Sequence, residues 1–169
     1  MHWKVEHKVA AHRATVERVV LDPRTTSMLP RYMPGIAKAH VLSREERGSI
    51  TVVRKRFEPS MTLPSFAKGV RPDMTQWVET VTWDHGRCEA RFEIDANVPA
   101  EWKRYFQAEG VYRLEDRGGD TLRVIEGDLT VRVPLMGSLA ERYIVGVLRE
   151  MFAGEARALE ACAAESVAA

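Results

Sequence analysis

Trp77-Val78-Glu79-Thr80-Val81-Thr82-Trp83-Asp84 and Arg87-Cys88-Glu89-Ala90-Arg91-Phe92-Glu93-Ile94-Asp95-Ala96-Asn97 flank a turn at Asp84-His85-Gly86. In the second segment Cys88, Ala90, Phe92, Ile94 and Ala96 alternate with charged residues. A period of two is the signature of a strand with one buried face. The pair therefore predicts an antiparallel hairpin, and neighbouring segments repeat the pattern. Residues 2–11 place Trp3, Val5, His7 and Val9 on one face, and residues 36–43 and 49–57 flank the polar turn 44–48. Residues 103–116 put Phe106, Ala108, Gly110, Tyr112 and Leu114 on one side.

The next connection sets a register. Read as a three-residue loop, Arg117-Gly118-Gly119 pairs Leu114 with Leu122 and Tyr112 with Val124. Later apolar positions, Leu129, Val131 and Val133, are then out of phase, which predicts a bulge near 125–127 with Glu126 facing inward. Pro134 ends the strand.

Two short helices are expected over 15–22 and 25–32, the first stopped by Pro23. The longest helix is expected over 138–164, opened by a Ser138/Glu141 capping box. Leu139, Tyr143, Val147, Met151 and Leu159 form its apolar stripe, widened by Ile144, Leu148 and Phe152. Gly146 and Gly154 inside it each cost about 1 kcal/mol relative to Ala, and mark either a close approach or a loosened helix. Successive strands followed by one long amphipathic helix define an α+β fold, in which the helix covers the sheet. An apolar cavity fits between them.

The chain has 169 residues and a net charge of +1, with Cys88 and Cys162 isolated. That suits one domain, 1–165, with a tail at 166–169, in a reducing compartment. There is no membrane-length apolar run, and the charged N-terminus disfavours export, so a cytoplasmic location is expected. Nineteen Arg to six Lys suggests a GC-rich bacterial genome. Residues 1–71 carry 14 Lys/Arg against 6 Asp/Glu, and residues 72–169 carry 11 against 18. The two halves are expected to form opposite flanks of one domain, with the covering helix in the acidic half. Nucleic-acid binding is not expected, because the basic residues lie at alternating outward positions without a helix-turn-helix pattern. The loop 58–76 combines Met61, Leu63 and Phe66 with Lys68 and Arg71, a composition suited to transient contact with an anionic membrane surface.

Five histidines (His2, His7, His12, His40 and His85) show no metal-ligand spacing, and there is no nucleophile elbow or phosphate loop. No metal, cofactor or catalytic residue is assigned. His7, Glu79 and Glu126 are polar residues on apparently inward faces. They either orient a ligand's polar end or transfer protons, or else are satisfied locally, Glu79 by Arg54 or Arg56. Local pairing is the favoured reading. Ala90, Ala96, Ala108 and Gly110 leave room opposite the helix.

Several motifs resemble the START-like, or SRPBCC, superfamily and, within it, a bacterial domain family of unknown function. They are Leu63-Pro64, Trp77-Val78-Glu79, Thr82-Trp83-Asp84 and the run Gly127-Asp128-Leu129-Thr130-Val131-Arg132-Val133-Pro134-Leu135-Met136-Gly137, followed by Glu141, Ile144 and Leu148. A looser likeness extends to phospholipid-transfer proteins of the PRELI type. The resemblance implies a helix-grip fold: a curved seven-stranded antiparallel sheet wrapped on the C-terminal helix, with two short helices between strands one and two. It also implies binding of a hydrophobic small molecule or lipid by a carrier, sensor or sequestering protein. Trp3, His7, Trp77, Glu79, Val81, Phe92, Ile94, Tyr112, Tyr143, Val147 and Met151 are the expected cavity residues. Alternatives are a polyketide cyclase or dehydratase using His7, Glu79 or Tyr112, and a protein-interaction module like the Hsp90 activators of the superfamily.

Overall fold

The computed structural model describes residues 1–60, 63, 67, 70–132, 135 and 137–168. Seven antiparallel strands form one sheet in the order β1-β7-β6-β5-β4-β3-β2. They are β1 (His2–Val9), β2 (Ile36–Arg47), β3 (Ile50–Pro59), β4 (Trp77–Asp84), β5 (Glu89–Ala96), β6 (Phe106–Asp116) and β7 (Thr121–Val131). Helices α1 (Arg13–Val20) and α2 (Pro23–Met28), with a 3-10 turn at Leu29–Arg31, carry the chain from one sheet edge to the other. A short α3 (Ala100–Lys103) precedes β6, and α4 (Gly137–Ala168) closes the fold. Because β1 and β2 are opposite edges, the basic first half supplies both sides of the sheet. The expectation of one basic and one acidic flank is corrected accordingly.

Local chemistry explains most boundaries. Asp22 caps α2 by accepting from the Arg24 amide at 2.8 Å, and Pro23 occupies the first turn, where its missing N–H costs nothing. The expected polar turn at 44–48 is strand as far as Arg47, which pairs with Ile50, and Gly48 takes φ 60° in a two-residue turn. Its charged residues therefore decorate an edge strand, where charge discourages pairing with another chain. α1 is anchored to the β4–β5 turn through Glu17, whose Oε1 lies 2.7 Å from Trp83 Nε1 and 2.6 Å from His85 Nδ1.

The β6–β7 connection differs from the expected one by a single residue. Arg117-Gly118-Gly119-Asp120 is a four-residue loop, closed by a 2.9 Å bond from the Arg117 amide to Asp120 O. Tyr112 therefore pairs with Ile125, and Leu114 with Arg123. The register runs unbroken from Asp116–Thr121 to Phe106–Val131, so β7 has no bulge. One residue of slip exchanges the two faces of a strand. Arg123 accordingly points into the fold, 1% exposed, while Glu126 points out and pairs with Arg113.

The core joins Trp3, Val53, Val81, Trp83, Phe92, Ile125 and Leu129 of the sheet to Val145, Phe152 and Leu159 of α4. A second cluster unites Leu29, Met33, Ile36 and Phe57 with Met151 and Ala158. The two helix glycines have different roles. A Cβ on Gly154 would lie 2.3 Å from Tyr32 O, so the segment after the 3-10 turn packs directly on the helix backbone; at Gly146 the space is open. Ser138 lies inside α4, and Glu141 Oε1 accepts from the Val131 amide at 2.9 Å, linking the helix to β7 in place of the expected capping box. Leu139, expected on the buried stripe, is 45% exposed. The helix continues through Ala168, past its expected end at 164. The expected loop residues Met61, Phe66 and Lys68, and Val133, Pro134 and Met136 of the following run, lie outside the described residues. Among the described residues, no helix is long and apolar enough to cross a membrane.

Candidate functional site: an apolar cavity with a buried ionic floor

Between the concave face of the sheet and α4 lies a cavity of about 750 Å³. Trp3, Phe57, Trp77, Phe92 and Ile94 line it from the strands, and Tyr143, Val147, Met151 and Phe152 from the helix. Its α4 wall runs from Ala140 to Glu155, a length of about 22 Å at the helical rise. Trp102 and Tyr105 line it and are also exposed, at 43% and 36%, which marks the mouth. Leu63, Ala67, Val70 and Met74 of the long loop complete the wall. The strands supply this wall because alternate residues face the same side.

Of the expected cavity residues, Trp3, Trp77, Glu79, Phe92, Ile94, Tyr143, Val147 and Met151 stand on this wall. Val81 is packed into the core beneath it, 4% exposed. Tyr112 is not on the wall itself; it packs against the wall rings Phe92 and Phe152, with centroids 4.7 and 6.0 Å away, and is bonded to Glu79. His7 faces inward but pairs in register with Arg123, away from the cavity wall. The space foreseen at Gly110 is filled, because the Phe92 ring sits where a Cβ would be, and Ala90 is core. Ala96 and Ala108 do border the cavity.

At one end the wall becomes ionic. Lys55 and Glu79 are directly opposite on β3 and β4, both side chains under a tenth exposed, with Nζ and Oε2 3.9 Å apart. Arg54 and Arg56, expected to pair with Glu79, fall on the other face because they are one residue out of phase. Tyr112 donates to Glu79 Oε1 at 2.5 Å. Arg123 binds Glu155 of α4 through Nη2, donates to Phe152 O at 3.3 Å, and lies over the rings of Tyr112 and Phe152 at 5.4 and 5.5 Å. Such closely paired, stacked guanidinium groups offset part of the cost of burying charge.

The electrostatics follow from burial. Desolvation raises the Glu79 carboxyl above the ordinary range, and the nearby Glu155 charge adds to it, against the pull of Lys55. Burial and Glu79 push the Tyr112 phenol well up. Burial and then the Arg123 charge lower His7, whose Nδ1 is buried without a hydrogen-bond partner among the described residues. The cluster keeps the proton on the Tyr112 phenol, which donates it in a hydrogen bond to Glu79, and it presents carboxylate oxygens to the cavity. Lys55, Arg123 and Glu155 were not singled out in the sequence. The signal for Arg123 was the fourth loop residue, Asp120, which changes the strand's phase.

A curved antiparallel sheet gripping a long C-terminal helix around an apolar cavity defines the START-like helix-grip class. The chain belongs to the family described as Protein of unknown function (DUF2505), whose model matches residues 4–162. Comparison with curated proteins gives no match. Among solved structures, TTHA0849 from Thermus thermophilus is similar at 20% identity and TM-score 0.69, over 98% of this chain and 99% of that one. The Zhui aromatase/cyclase from Streptomyces sp. R1128 matches at 18% identity and TM-score 0.66, over 99% and 95%. A START superfamily protein from Mycobacterium smegmatis matches at 16% and 0.59, over 98% of each chain. At these identities the likeness establishes the fold.

Proposed function

We propose that this protein is a cytoplasmic carrier, sensor or sequestering protein for a hydrophobic small molecule or lipid, held between the sheet and α4. The observation that carries this reading is the cavity of about 750 Å³, walled by aromatic and aliphatic side chains and reached past exposed Trp102 and Tyr105. A void of this size costs packing energy unless something occupies it. Leu63, Ala67, Val70 and Met74 stand at the cavity wall, so contact of this part of the chain with an anionic membrane would bring a lipid ligand to the cavity. Native mass spectrometry of the purified protein tests the reading. A co-purifying hydrophobic adduct, or uptake from a lipid and fatty-alcohol panel, is expected; persistent bare mass throughout would overturn it.

A second reading, polyketide cyclase or dehydratase chemistry, is favoured by the Tyr112–Glu79 hydrogen bond on the cavity wall and by the aromatase/cyclase among similar structures. Turnover of a polyketide-like substrate, lost in Glu79→Gln without loss of folding, would establish it. A filled core would favour a protein-interaction module; a cavity of this volume does not.

A further inference from the structure

The cavity is apolar along its length and carries two carboxylates at its ionic end. Glu79 and Glu155 are each 6% exposed and both line it. Their cationic partners, Lys55 and Arg123, are off the wall, behind the carboxylates. The donors of the cluster are thus turned away from the cavity and its acceptors toward it. The acceptors are also incompletely used. Glu155 is bonded to Arg123 through Oε2, and among the described residues Oε1 has no hydrogen bond. Glu79 Oε1 takes the Tyr112 proton, while Oε2 has only Lys55, at a distance beyond hydrogen-bonding. Neither open oxygen is fully enclosed, so a donor in the cavity can reach it.

Building on the cavity-binding reading, we infer that the occupant is a neutral amphipathic molecule whose buried end carries a hydroxyl, an alcohol or phenol, and that an anionic end is rejected from the ionic end of the cavity. A hydroxyl donates to the open Glu155 oxygen and can also accept a hydrogen bond, so it satisfies the site whether Glu79 is ionised or protonated. A carboxylate or phosphate end placed there would lie against Glu155 in a low-dielectric pocket, away from the wall's Arg132, whose amide is bonded to Tyr105 O at the mouth. An ether or ester end supplies no donor and leaves the acceptor open. This deepens the carrier reading by naming the ligand class.

Displacement of Nile red by 1-dodecanol, dodecanoate and dodecyl methyl ether at pH 7.5 separates the alternatives, because the three share one apolar chain. The expected result is that dodecanol displaces the dye at a concentration at least tenfold below that of either competitor. In Glu155→Gln, which shortens no side chain but removes the charge, the penalty on dodecanoate should shrink severalfold. The wild-type ranking decides by itself if that variant does not fold. Equal displacement by all three, or dodecanoate ahead of dodecanol, would overturn the hydroxyl inference and leave cavity binding standing. Failure of Nile red and all three probes to bind would overturn both.

Discussion

Tyr112 on β6 and Glu79 on β4 meet at 2.5 Å across the intervening strand β5, the phenol donating to a carboxylate that is itself 6% exposed. Strands two places apart lie about 10 Å from one another in a flat sheet. Two long inward side chains on a concave surface close that gap. The contact is therefore a consequence of sheet curvature. Tyr112→Phe removes it while keeping the ring, and leaves Glu79 with one fewer partner. A loss of about 1–3 kcal/mol in urea unfolding is expected.

Arg123 and Glu155 tie the sheet to α4 through a buried ion pair. Arg123→Met should destabilise the fold by about 3–5 kcal/mol, because Glu155 is left charged and unpaired. Arg123→Met combined with Glu155→Leu should recover most of that loss. A double mutant no more stable than the single one would show that the pair's charge is not what matters.

The helix glycines predict opposite signs. Gly154→Ala would drive a Cβ to within 2.3 Å of Tyr32 O and should lower the melting temperature. Gly146→Ala meets nothing and should raise stability by up to about 1 kcal/mol through helix propensity. Thermal melts of the two variants check both.

Stability should depend on pH at both ends of the cluster. Glu79 has its carboxyl raised, so the folded state binds the proton more tightly than the unfolded chain. Its contribution is full below the ordinary carboxyl range and is lost as pH rises through the folded value. His7 is lowered, so its contribution is full above its ordinary value and is lost as pH falls through the folded one. Denaturation series across about pH 4–9 should show Glu79→Gln flattening the alkaline-going decline and His7→Asn flattening the acidic one.

Ala108 borders the cavity on β6, where a larger side chain has room. Ala108→Leu should leave the circular dichroism spectrum unchanged and weaken uptake of a hydrophobic probe by about tenfold or more, the effect of filling a site that buries roughly one methylene-rich chain. Unchanged uptake in a folded variant would place the binding surface elsewhere.

Much of this was legible in the chain. The bounds of β4 follow from strict alternation between Gln76 and the Asp84-His85-Gly86 turn, and they match the structure residue for residue. The long amphipathic helix was legible for the same reason: a 3.6-residue period survives local interruptions such as Gly146. The expected wall residues on β4, β5 and α4 follow directly from those periods. The phase of β7 was not legible, because Leu122, Val124, Ile125 and Leu129 place apolar residues on both faces, and Val124 is itself buried. Loop length alone decides between the two phases, and Gly118-Gly119 permits either.

The sequence by itself determined the order and kind of the elements, since periodicity and punctuation are local properties read from neighbours along the chain. Only the tertiary structure decided which charges are buried together. Lys55, Glu79, Tyr112, Arg123 and Glu155 come from four strands and a helix, and their meeting depends on one loop residue, on sheet curvature and on how α4 docks. Those are long-range packing outcomes, and no local pattern encodes them. The cavity has the same origin: its apolar wall is written in the alternation, but its volume is what one helix leaves uncovered in a sheet of seven strands.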